Sequence, residues 1–146
     1  MYEFIQTLHP ECSISQKDIM DLEEEYKISI PAALKEFYLK YNGADIFLCR
    51  FFPENSQVEM VEVHTIYPIK YTPYEKGAIL ERVLNSDRMD VFIPSELIPF
   101  AQDRGGNRCY CDKNSGKVYF ISSDDIDNPV AVCEKISDFL DNLKKF

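Results

Sequence analysis

Two histidines, five cysteines and a surplus of carboxylates bound the chemistry open to this chain. Nucleophilic catalysis needs a nucleophile with a base held beside it, and histidine is the usual base at neutral pH. His9 precedes Pro10 in a terminal segment and His64 lies in a strand-like run, so both read as surface or packing residues. Cys109 and Cys111 stand two apart. On a strand that puts both on one face, where a buried cysteine behaves as a small hydrophobe. No second Cys/His pair at zinc-finger spacing accompanies them, which argues against zinc or redox work. Gly105-Gly106 opens a strand rather than a helix, and no Gly-Lys-Ser/Thr follows, so it reads as a turn and not as a phosphate cradle. Asp124, Asp125 and Asp127 offer oxygens to Ca²⁺ but lack the alternating positions, the glycine and the distal glutamate of an EF-hand loop. Carboxylate pairs are abundant in so acidic a chain, and nothing distinguishes a buried acid from a solvated one. The expectation is therefore no enzyme, no cofactor and no metal.

The chain has 146 residues, 45% of them hydrophobic and 28% charged. That is enough for one domain, residues 1–146, with its own core and no disulfides. The apolar runs Ile46 to Leu48 and Val91 to Ile93 fall far short of the ~20 residues of a membrane helix. Met1 to Pro10 carries Glu3 and lacks a basic n-region and an apolar h-region, so no secretory signal is read. Five scattered cysteines do not suit a disulfide framework, and a cytoplasmic protein with free thiols is expected. Against 25 acidic residues stand 16 basic ones, a net charge of −9. This balance repels phosphate backbones and disfavours direct nucleic-acid contact. It either keeps the protein soluble or steers it towards a basic partner.

Ser15 and Asp18 resemble a capping box, and Ile19, Leu22 and Tyr26 recur at helical spacing, predicting a helix from about 16 to 27. Its Glu23-Glu24-Glu25 run reads as a solvated face. Pro31 suits the first turn of a second helix with Leu34, Phe37, Tyr38 and Tyr41 as its buried stripe and Asn42-Gly43 as its left-handed stop. Extended segments are predicted at Ile46 to Phe52 and Val58 to Ile66, the second slipping period near Met60-Val61. Pro68 and Pro73 obscure the stretch from Tyr67 to Asp90, where Ala78 to Leu84 could form a short helix. Ile98 to Ala101 reads as a strand, Asp103 to Asn107 as a glycine turn, and Arg108 to Lys113 with Lys117 to Ser122 as an antiparallel hairpin. Asp124 to Pro129 is an acidic loop. Ile136, Phe139, Leu140 and Leu143 give a closing helix, with Lys144 and Lys145 placed against its C-terminal dipole. The order predicts an α+β fold: N-terminal helices, a mainly antiparallel sheet with a C-terminal hairpin, and a closing C-terminal helix.

Two stretches, "LEEEYKISIPAALKEFYLKYNG" from Leu22 to Gly43 and "IPFAQDRGGNRCYCDKNSGKVYFI" from Ile98 to Ile121, resemble the SUKH superfamily. Its members include fungal regulators of cell-wall glucan synthesis of the Smi/Knr type and many bacterial immunity proteins. Asn107 stands where the family often has Asp, and the tryptophan often found beside the hairpin is missing. The resemblance implies an α+β fold with no shared active site and, for a bacterial member, neutralisation of a toxin by tight binding. The leading expectation is thus an immunity protein that occludes a toxin domain with a basic surface, often a nuclease in such systems. The alternative is a regulatory or scaffold protein of cell-wall or signalling networks. The residues assigned to partner binding are Asp103, Arg104, Asp124, Asp125 and Asp127. Each also has a local reading: Asp103 would cap its turn through an Asx bond and the others would be solvated.

Overall fold

The computed structural model describes residues 1–90 and 92–146; Val91, in one of the two short apolar runs, lies outside them. Ser15 starts the first helix as its spacing predicts. Its hydroxyl accepts from the Asp18 amide while the Asp18 carboxylate accepts from the Ser15 amide at 2.9 Å, so α1 (Gln16–Tyr26) opens on a complete capping box. Ile19, Leu22 and Tyr26 are buried. The glutamate run divides: Glu24 and Glu25 are exposed, whereas Glu23 turns back to accept the Ile30 amide at 2.8 Å and to pair with Lys35. One carboxylate thereby fastens the connection to α2 (Ala32–Tyr41), which buries Leu34, Phe37 and Tyr38. The left-handed stop falls on Gly43 alone, at φ 78°, because Asn42 keeps φ −55°. A Cβ at Gly43 would lie 2.5 Å from the Cys12 Cβ.

Among the described residues the chain forms ten short strands: β1 (Ile5–Thr7), β2 (Asp45–Ile46), β3 (Cys49–Phe51), β4 (Val61–Val63), β5 (Thr65–Ile66), β6 (Leu97–Gln102), β7 (Arg108–Asp112), β8 (Val118–Ile121), β9 (Val130–Cys133) and β10 (Lys144–Lys145). They form three antiparallel sheets: β1-β2, β10-β3-β4 and β5-β6-β7-β8-β9. Two further helices, α3 (Leu80–Arg88) and α4 (Ile136–Asp141), complete the α+β fold.

Several expectations are corrected here. The run 46–52 supplies two strands to different sheets, and 58–66 becomes extended only at Val61. The irregularity expected at Met60-Val61 sits instead at His64, where the chain leaves the three-stranded sheet and its amide reaches the Gln102 carbonyl of β6 at 2.9 Å. The helix sought at Ala78 to Leu84 begins at Leu80 and runs to Arg88. The closing helix ends at Asp141, and Lys144 and Lys145 do not serve its dipole, because they pair with Arg50 and Cys49.

The hairpin is in the predicted place, with Cys109 opposite Phe120 and Cys111 opposite Val118. Both cysteines face the main core as the two-residue spacing requires, and the intervening Tyr110 faces away into a second cluster with Leu97 and Ile121. The main core joins helices to sheets through aromatic contacts. Phe139 of α4 lies 4.8 Å from Phe51 and 5.6 Å from Phe100, centroid to centroid. All five cysteines are free thiols.

Candidate partner-binding surface

The five-stranded sheet is a meander, so the β6–β7 turn and the β8–β9 loop emerge at the same end. Antiparallel connectivity therefore gathers all five sequence-assigned residues into one region. In the turn, Asp103 uses its carboxylate internally. Oδ1 accepts from the amides of Gly105 and Asn107, each at 2.9 Å, and Oδ2 accepts from the Asn107 side chain at 2.8 Å. Gly106 takes φ 87°, which a side chain would resist. Arg104 lies over Glu62 of β4: its Nη2 donates at 2.7 Å and its backbone amide at 3.0 Å. These bonds from Arg104 hold the Glu62 carboxyl below its ordinary value. The guanidinium stays 62% exposed, so it is aimed by Glu62 yet open to solvent.

The β8–β9 loop is organised differently. Backbone turns run from Asp125 to Ser122 and from Asn128 to Asp125, while Ile126 packs onto the Leu97, Tyr110 and Ile121 cluster. Anchoring Ile126 fixes its neighbours outward. Asp124, Asp125 and Asp127 are exposed, and no cation pairs with them among the described residues. Asn107 couples the two elements, because its Oδ1 accepts from the Ser123 amide at 2.9 Å while its Nδ2 donates to Asp103. The departure from the family's usual Asp at this position thus supplies a donor and an acceptor together, which a carboxylate would not.

Beneath this end, Asp87 at the last turn of α3 accepts from Arg108 at 2.6 Å and from the Tyr110 hydroxyl at 2.8 Å. Burial pushes the Asp87 carboxyl above its ordinary value, and Tyr110 and Arg108 pull against that shift. This network fixes α3 on the sheet and was not legible in sequence, since nothing local marks Asp87 as the partner of residues 21 and 23 positions on.

His9 has partners of its own. Its Nε2 lies 2.9 Å from Asp45 Oδ2 and its Nδ1 3.2 Å from Glu11, and Tyr74 donates its hydroxyl to the other Asp45 oxygen. The Asp45 contact raises the His9 pKa. Burial works against ionisation of Asp45, but Tyr74 and His9 outweigh it and hold the carboxyl low. Asp45 and Tyr74 line a cleft of about 460 Å³ that His64 also borders. The contacts His9–Asp45 and Tyr74–Asp45 clamp together the N-terminal segment, β2 and the 70–79 loop. Among the described residues no group of three or more His, Cys, Asp or Glu is arranged to hold a metal ion. Among them, too, no helix is long and apolar enough to cross a membrane.

An α+β scaffold that spends its buried polar groups on bracing, and presents two coupled turns at one sheet end, has the build of a binding module. The model of the SMI1 / KNR4 family (SUKH-1) matches residues 13–142, and the chain belongs to that family. Membership supports a protein-binding or immunity-type domain in general, of a family whose members are generally non-enzymatic. No curated protein matches the chain.

Proposed function

We propose that this protein is an immunity factor that neutralises a toxin domain by direct binding, and that the coupled turns at the end of the five-stranded sheet make the contact. The observation that carries this reading is the anchored loop: Asp124, Asp125 and Asp127 are exposed and without cations on a segment pinned by Ile126 and Asn107. Charges held in place lose little freedom on binding, and they draw in a basic surface. Asp103 contributes by shaping its turn, and Arg104 by offering the outer edge of a guanidinium that Glu62 already orients. The partner is a protein with a basic patch, and neither nucleic acid nor membrane is bound directly.

The test is co-expression. The toxic domain encoded beside this chain's gene should arrest growth when expressed alone, and the wild-type chain should restore it. Asp124→Lys with Asp125→Lys should slow association in a salt series by stopped flow and leave the thermal midpoint within a few degrees, since exposed charges contribute little to stability. A neighbouring gene product that is not toxic, or a rate constant indifferent to salt, would reject the immunity reading and the acidic contact respectively. The first result would favour the regulatory role.

A further inference from the structure

Strand alternation places Arg50 on the opposite side of β3 from the buried Cys49 and Phe51, on the outer face of the three-stranded sheet. Its guanidinium carbon lies 5.3 Å from the Phe52 centroid and 4.8 Å from that of Phe146. Both rings are 58% exposed. Arg50 Nε is buried and has no hydrogen-bond partner. Lys144 stands opposite Arg50 on β10, and Glu62 stands opposite on β4. Glu62 is committed to Arg104, and no carboxylate among the described residues pairs with Arg50, Lys144 or Lys145. Two like charges thus face each other across a ladder, an unfavourable arrangement that an incoming anion would relieve.

We propose that this sheet face is a second protein-docking surface, which accepts a carboxylate-bearing segment of a partner protein. The Asp or Glu seats on the outward edge of Arg50 beside Lys144, and an adjacent apolar side chain covers Phe52 and Phe146. With two rings at cation–π distance and no carboxylate paired to it among the described residues, the guanidinium keeps donors for bidentate bonding to an incoming carboxylate. The exposed ring area is what selects a protein segment over a free small carboxylate, which could not cover it. Arginine flanked by aromatics is also the composition that dominates binding at protein interfaces. Arg50 and Lys144 give the contact a sign opposite to that of the Asp124–Asp127 loop, while Glu54, Glu134 and Asp138 line the neighbouring cleft that Phe52 and Lys144 share, so it takes a different partner or a different part of the same one.

The experiment uses the full chain, immobilised, to select from a displayed library of random peptides, followed by anisotropy measurements on the enriched peptides. Enriched sequences should share an Asp or Glu next to an aromatic or aliphatic residue. Changing that Glu to Gln in the peptide should weaken binding about tenfold to a hundredfold, as loss of a charged hydrogen bond does. Arg50→Gln should do the same, and Lys144→Glu, at an exposed position, provides a second variant should the first fold poorly. Asp124→Lys with Asp125→Lys should leave peptide binding intact, which separates this surface from the acidic loop. No shared acid, or binding that survives both Arg50→Gln and Lys144→Glu, would overturn the proposal.

Discussion

Asn42 is 5% exposed and bonds three backbone groups from two other segments. Its Nδ2 donates to the carbonyls of Cys12 and Ile69, and its Oδ1 accepts from the Ile69 amide, all at 2.8 Å. Asn42→Ala deletes every one of these bonds. A hydrogen bond contributes about 0.5–1.5 kcal/mol net, and a buried group left without a partner costs about 1–3 kcal/mol. Water entering the space would relieve part of this, so a loss of about 3–5 kcal/mol is expected, a large share of the ~5–15 kcal/mol typical of a domain. Urea melts should show a lower midpoint at unchanged slope, and amide exchange at Ile69 should accelerate more than at Val118 in β8. A loss below about 1 kcal/mol with Ile69 protection unchanged would refute the reasoning.

Phe37 is 4% exposed, so Phe37→Ala should cost about 3–5 kcal/mol in urea melts; under ~1 kcal/mol would mean the buried face of α2 is misassigned. The His9 pKa is raised above its ordinary 6.5, so the stabilisation from its contacts with Asp45 and Glu11 is complete below that value and is lost as pH rises through the folded pKa. Thermal midpoints of wild type should fall over that window relative to His9→Gln, and parallel curves would exclude the clamp. Burial pushes the thiols of Cys49 and Cys111 up to about 12, and that of Cys109 higher still, whereas Cys133 is only half-buried. Alkylation of the native protein should therefore begin at Cys133, and five thiols should titrate in denaturant without reductant; early loss of Cys109 or a count of three or fewer would contradict this.

Where chemistry is local, the sequence was readable. Ser15 and Asp18 cap α1 within one turn, and Asn114 to Gly116 closes the hairpin between strands whose alternation is intact. Legibility failed where a distant partner decides. The helical stripe of α3 is Leu80, Val83, Leu84 and then Asp87, an acid that is buried only because Arg108 and Tyr110 meet it. β1, β9 and β10 are two to four residues long and too short for a periodicity to register. The candidate residues divide the same way: Asp103 was recognisable as a turn cap, while the Glu62 beneath Arg104 is 42 positions away. Arg50 gave no signal, because its isolation depends on Glu62 being occupied by Arg104.

The pairing of β10 with β3 has a kinetic consequence. The strands β6 to β9 are joined in chain order by connections of five to eight residues, so these loops are short to close. Bringing Lys144 beside Arg50 instead closes a loop of about 94 residues, an ordering cost that must be met before any contact rewards it. Such a pairing belongs after the rate-limiting barrier. Weakening it, by replacing Lys145 with proline, should therefore hasten unfolding and leave refolding almost unchanged, and a slowed refolding limb would place β10 in the nucleus.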